Sequence, residues 1–151
     1  MQRKEAEGEN IEDWIRSGDW VALQLRISLQ ILACESQNQI NHFNPGSDII
    51  GELYMDYWGY SQAIGTYWEI SQDQVTRLAV LRDFFNSLNN PATGDFWTVE
   101  ALSSDPRWEQ VRSLAKQALN AFNWPIVVPP LKKTSYKTKE SKGRKCIWTI
   151  R

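Results

Sequence analysis

Residues 20–37 read WVALQLRISLQILACESQ, and this run decides between two folds. Val21, Leu23, Leu25, Ile27, Leu29 and Ile31 alternate with polar or small residues, which is the period of a strand. On a helical wheel the same residues cover most of the circumference, as in a helix buried on nearly all sides. Length separates the two readings, because the run goes well past the ~5–6 residues of an ordinary strand. The preceding residues also favour helix. Asn10 is a good N-cap for NIEDWIRSG, with Asp13 at N3 near the positive end of the dipole. Gly18 reads as the stop, and Asp19 as the cap of the next helix. The prediction is a short helix, a break at Gly18, and a long buried helix over about 20–36. Cys34 packs in that helix as a small hydrophobe.

The stretch IRSGDWVALQLRISLQILACESQ resembles a helix pair that begins many small bacterial proteins of helical-repeat or leucine-rich-repeat type. The resemblance implies helix and a bacterial origin, not an activity. No leucine-rich repeat follows in this chain.

Further along, NHFNPGSD reads as a loop. Ser47 or Asp48 caps a third helix over about 49–63, ended by Gly65. Its apolar face holds Ile49, Ile50, Leu53, Tyr54, Tyr57, Tyr60 and Ile64. Its polar face holds Glu52, Asp56 and Gln62, with Trp58 at the margin, while Tyr67 and Trp68 fall in the connector that follows. Ser71 and Gln74 form a capping box. The helix behind it, from 72 to about 88, buries Val75, Leu78, Leu81, Phe85 and Leu88. NNPATGD breaks it, and TVEAL is one short turn capped by Thr98. Asp105 with Pro106 starts a last helix over 106–122. Trp108, Val111, Ala115, Ala118 and Phe122 face inward there, flanked by Leu114 and Leu119. Glu109, Arg112, Ser113, Lys116 and Gln117 face out. After IVVPPL, which cannot be helix interior, residues 132–151 have two readings. Tyr136 and Thr138 pair with Cys146, Trp148 and Ile150 in a β-hairpin, or the segment is an extended tail. The alternating apolar residues favour the hairpin.

These readings give a mainly α fold: one domain of about five helices with a small C-terminal β-hairpin. A chain of 151 residues fits one domain. Residues 1–131 form its helical body and 132–151 its basic C-terminal segment. No window approaches the ~20 apolar residues of a membrane span, so no membrane partner is expected. The polar start lacks an apolar h-region, which points to the cytoplasm. Cys34 and Cys146 lack CxxC spacing and read as free thiols.

The net charge of −1 hides an asymmetry. Residues 132–151 carry eight Lys and Arg against Glu140 alone, so the other 131 residues sum to −8. Lys132, Lys133, Lys137, Lys139, Arg144 and Lys145 are the candidates for contact with a nucleic acid backbone. Lys outnumbers Arg there, and no helix-turn-helix or RNP motif accompanies them. The same charge also suits docking onto an acidic body or partner.

Catalytic chemistry has little to build on. His42 is the single histidine, and it reads as a solvent-exposed loop residue. No P-loop, G-x-G-x-x-G or G-x-S-x-G stretch occurs, and no His or Cys cluster suggests a metal or cofactor. Glu52 and Asp56, four apart, share a helix face. They are the only footing for a carboxylate enzyme or a bound cation. The eight Trp are unusual. Tyr54, Tyr57 and Tyr60 fall on the core side of their helix. Trp58 and Trp68, with Glu52 and Asp56, are the candidates to meet a protein partner. The order of an acidic-aromatic helix, a helix ending in Phe84-Phe85 and a helix led by Trp108 is similar to small immunity-type proteins. The absent catalytic set, the acidic body and the surplus aromatics point to a non-catalytic protein-binding module, a regulator, adaptor or inhibitor, and the similarity implies as its example an inhibitor of a basic protein. The oligomeric state is not legible.

Overall fold

The structure is a computed structural model that describes residues 1–4 and 11–131. Asn10, the side chain of Asp13 and the predicted hairpin of 132–151 lie outside the described residues. The described chain is mainly helical. Its order is β1 (Gln2–Arg3), α1 (Ile11–Leu32), α2 (Ser36–His42), α3 (Ile49–Tyr67), β2 (Trp68–Glu69), α4 (Gln72–Ser87), a 3₁₀ segment (Pro91–Trp97), α5 (Ala101–Ser104) and α6 (Pro106–Ala121). Helix α1 packs against α3 and α6, and α4 packs against α6. No helix among the described residues is long and apolar enough to cross a membrane.

The opening run is helix, and it is buried almost all round. Every residue from Ile27 to Cys34 is buried, because α1 lies between α3 and α6. Gly18 does not break it. One helix of 22 residues passes straight through. A Cβ at Gly18 would sit 3.3 Å from Tyr67 Cβ and 3.6 Å from Trp68 Nε1. The glycine therefore serves a close crossing with the end of α3, and that packing outweighs its poor helix propensity of about 1 kcal/mol. Asp19 is not a cap either. It pairs with Arg3, which lies on β1. Helix α1 ends at Leu32, so Cys34 sits just past its terminus, buried but not helical.

Several boundaries move. Residues 36–42 form α2 instead of joining the loop, and only 43–48 connect to α3. Helix α3 runs through Gly65 to Tyr67. His42 is in α2 and buried at 2% exposure, with its ring edge-on to Phe43 at 4.8 Å. Among the described residues there is one small sheet, at the N-terminal end of the chain. It pairs Gln2 with Glu69 and Arg3 with Trp68, antiparallel.

The predicted caps from Asp48 onward are present. Asp48 accepts from the Gly51 amide at 3.1 Å. Ser71 and Gln74 close the capping box, and Gln74 also donates to the Ala121 carbonyl at 3.1 Å, tying α4 to the end of α6. Thr98 accepts from Ala101 N. Asp105 caps α6 through Arg107 N at 2.9 Å. The Arg107 guanidinium also grips the Asp105 carboxylate, with Nη2 to Oδ2 at 2.6 Å, and holds its pKa below the usual range.

The core is aromatic where α3, α4, α6 and the 3₁₀ segment meet. Phe96 stacks flat on Trp108 at 4.5 Å, and Trp108 Nε1 donates to Phe96 O at 2.8 Å. Phe85 contacts both rings. Tyr57 is fully buried and donates its hydroxyl to Leu78 O at 2.8 Å. Desolvation raises its pKa. Tyr54 and Tyr60 are half-buried against the same core.

One core residue defies the amphipathic pattern. Arg112 was predicted to face out of α6, yet it is 4% exposed. Its Nε donates to Cys34 O at 2.8 Å and its Nη2 to Gln39 Oε1 at 3.0 Å and to Leu102 O. Nη1 reaches Glu109 at 2.5 Å. Gln39 in turn donates to Ile31 O and Leu32 O, each at 3.2 Å. Gln39 thus serves the last carbonyls of α1, and Arg112 holds Gln39 and the Cys34 carbonyl just beyond that end. A cation at that end also complements the helix dipole.

Candidate functional site

Helix α3 carries three of the four residues singled out for a protein partner. At 3.6 residues per turn, Trp58 lies about 160° round the axis from Asp56. Between them, in order round the outward arc, come Met55, Gly59 and Glu52. Met55 is 58% exposed, and Gly59 is exposed. Glu52 and Asp56 are half-buried and have interacting neighbours. Trp58 is half-buried, tilted against Tyr54 at 5.8 Å. Tyr54 passes the contact inward, meeting Phe85 at 5.3 Å and Trp97 at 5.2 Å. Around Met55 the outward face of α3 has Trp58 on one margin and two carboxylates on the other, with Gln62 and Thr66 exposed further along the same arc. Trp58 is backed by rigid core rings.

Trp68 is not on this face. It follows α3 as the first residue of β2, ten residues beyond Trp58. Its indole Nε1 donates to Gly18 O at 2.8 Å, and the Arg3 guanidinium lies 4.7 Å from its ring centroid. Its ring borders a cleft of about 200 Å³ shared with Asp19, Arg26 and Trp124. The two tryptophans paired by sequence thus belong to different regions. A second, larger groove of about 320 Å³ lies between α3 and α4, over Ser61, Gly65, Val75, Leu78 and Arg82. Val75, predicted to be core, borders it at 39% exposure. Helix α4 uses Leu78, Leu81 and Phe85 for the core and leaves Gln72, Asp73 and Val75 of its first turn exposed.

The remaining candidates fare differently. Burial pushes the Cys34 thiol up, helped by the Glu35 carboxylate, which opposes the reactive thiolate. Among the described residues no three His, Cys, Asp or Glu gather into a group that could hold a metal. Lys132, Lys133, Lys137, Lys139, Arg144 and Lys145 lie outside the described residues. Sequence reasoning missed Met55, although its place on the wheel between Trp58 and Gly59 marks it as outward. It also missed Trp124, which stacks on Phe122 at 4.4 Å. That contact depends on Asn123 turning back with φ +57°, a left-handed conformation Asn tolerates.

Compared with protein-family models, with curated proteins and with solved structures, the chain matches none.

Proposed function

We propose that this chain is a non-catalytic protein-binding module, a bacterial regulator, adaptor or immunity-type inhibitor that docks through the outward face of α3. The observation that carries the reading is Met55 at 58% exposure beside Trp58, with Glu52 and Asp56 along the opposite margin. Binding energy at protein interfaces concentrates in a few aromatic and large apolar anchors ringed by polar groups. Met supplies an adaptable contact and Trp58 a rigid one, since the core rings hold it. The two carboxylates favour a partner that presents basic groups at that edge.

The test is capture of partners from the native host on immobilised full-length chain, beside Met55→Glu and Trp58→Ala variants. A partner retained by the parent and lost by both variants, with helical circular dichroism unchanged, supports the reading. A partner retained equally by all three places the binding surface elsewhere.

A further inference from the structure

The groove of about 320 Å³ between α3 and α4 is separate from the proposed docking face, since Met55, Trp58, Glu52 and Asp56 do not line it. It is polar at one end and apolar at the other. At the polar end Arg82 of α4 meets α3, with Nη1 donating to Ser61 O at 3.5 Å. Ser61 is buried, and its Oγ–H is already given to Trp58 O at 3.2 Å. What this end still offers is the rest of the five N–H donors of the guanidinium. Arg3, Arg77, Arg107 and Arg112 each pair with a carboxylate. Among the described residues Arg82 pairs with none. Val75 stands seven residues earlier on α4, about 10 Å away along its axis. It lines the apolar end with Leu78 and with Ile70 of the connector. Gly65 of α3 leaves that wall open, because a Cβ there would meet nothing within 4 Å.

We propose that this groove binds a medium-chain aliphatic carboxylate, with its head on Arg82 and its chain along Gly65, Ile70 and Val75. Charge complementarity selects the head. A guanidinium without a carboxylate of its own repels cations, and its planar fork matches a carboxylate through two parallel N–H···O bonds. The walls select the tail. They are aliphatic, and among the described residues no aromatic ring lines the groove on which a base or an aromatic ligand could stack. The volume lies at the lower end of the range for small-molecule sites, which suits one acyl chain and not a two-chain lipid. The two ends also sit in the right order, since the cation and the exposed Val75 close opposite ends of the same groove. This inference does not rest on the docking face, and either can fail without the other.

The experiment is a titration of the isotope-labelled full chain with sodium octanoate, followed by the backbone amide shifts in NMR spectra. The expected result is a saturable shift centred on Gly65, Ile70, Val75 and Arg82. Butanoate, which has less chain to bury, should bind at least roughly tenfold more weakly. Octanol, with the same chain and no charge, should also lose at least roughly tenfold. Arg82→Gln should weaken octanoate by a similar factor and leave octanol unchanged. Gly65→Leu, which fills the apolar end, should lose octanoate with an unchanged circular dichroism spectrum. Four results overturn the proposal. Millimolar octanoate gives no saturable shift at these residues. Octanol binds as well as octanoate. Arg82→Gln binds octanoate as tightly as the parent does. The shifts centre on Met55 and Trp58 instead.

Discussion

Helices α3 and α6 make an instructive pair. Both are long, both begin at an aspartate cap, and both bury a stripe against the rest of the chain. In α6 the inward stripe is fully used, and the exposed positions after Pro106 are polar. Trp108, Val111, Ala115 and Ala118 are fully buried, and even Arg112 is spent on carbonyls of the chain itself. In α3 the inner face is equally well used, but the outer one is not. Met55 stands in solvent, and a Cβ at Gly59 or Gly65 would meet nothing within 4 Å. Two interior glycines cost a helix roughly 1 kcal/mol each, with no packing gained in return. A sequence that keeps such choices without an internal benefit is where a functional demand is to be sought. The contrast separates a helix explained by folding from one that folding explains on one side only.

The sharpest way to break this comparison is to truncate one tryptophan from each helix. Trp108→Ala should cost about 3–5 kcal/mol in urea unfolding, since it empties a stacked core site. Trp58→Ala should cost well under half of that. Equal losses would make Trp58 a core residue and remove it from the proposed docking face. Next comes Arg112→Met, which leaves the carbonyls of Cys34 and Leu102 and the Gln39 amide oxygen without their donor. A loss of about 3 kcal/mol is expected, with Arg112→Lys intermediate because it keeps the charge but not the fork. A neutral Arg112→Met would mean that the cation only fills space.

Loss of the α6 cap in Asp105→Ala should cost about 1 kcal/mol. Because Arg107 lowers the Asp105 pKa in the folded state, that carboxylate's contribution is present above its unfolded value of about 3.9 and lost as pH falls through the folded value. Asp105→Asn should therefore show a shallower loss of stability on acidification than the parent. The smallest effect is a gain. Gly59→Ala should stabilise by about 0.5–1 kcal/mol in thermal or urea unfolding. Gly18→Ala should gain nothing or lose, because its Cβ would press on Tyr67 Cβ at 3.3 Å. If both alanines stabilise, the crossing of α1 and α3 is looser than its geometry implies.

The sequence was most legible where a structural rule is local. The Ser71–Gln74 box, the Asp48 cap and the Asp105-Pro106 start all depend on residues within four positions of one another. Each forms as the pattern predicts. Periodicity placed Leu78, Leu81 and Phe85 in the core and misplaced Val75 at the end of the same stripe, because a period does not say where the neighbouring helix stops. The candidate site was legible in part. Helical angle alone sets Trp58, Met55, Glu52 and Asp56 on one outward arc. Nothing local ties Trp68 to Gly18, which lies fifty positions away in sequence.

By itself, then, the sequence determined the helical class, the caps of α3, α4 and α6, most inward faces and the charge split between its two ends. Those follow from backbone hydrogen bonding, side-chain period and composition, which act over one or two turns. Only the tertiary structure decided that Gly18 is a crossing point and not a stop, that His42 is buried, and that Arg112 turns inward. Each of these depends on which distant backbone comes close. Such a contact can outweigh a local preference of about 1 kcal/mol, and no pattern in the neighbouring residues records it.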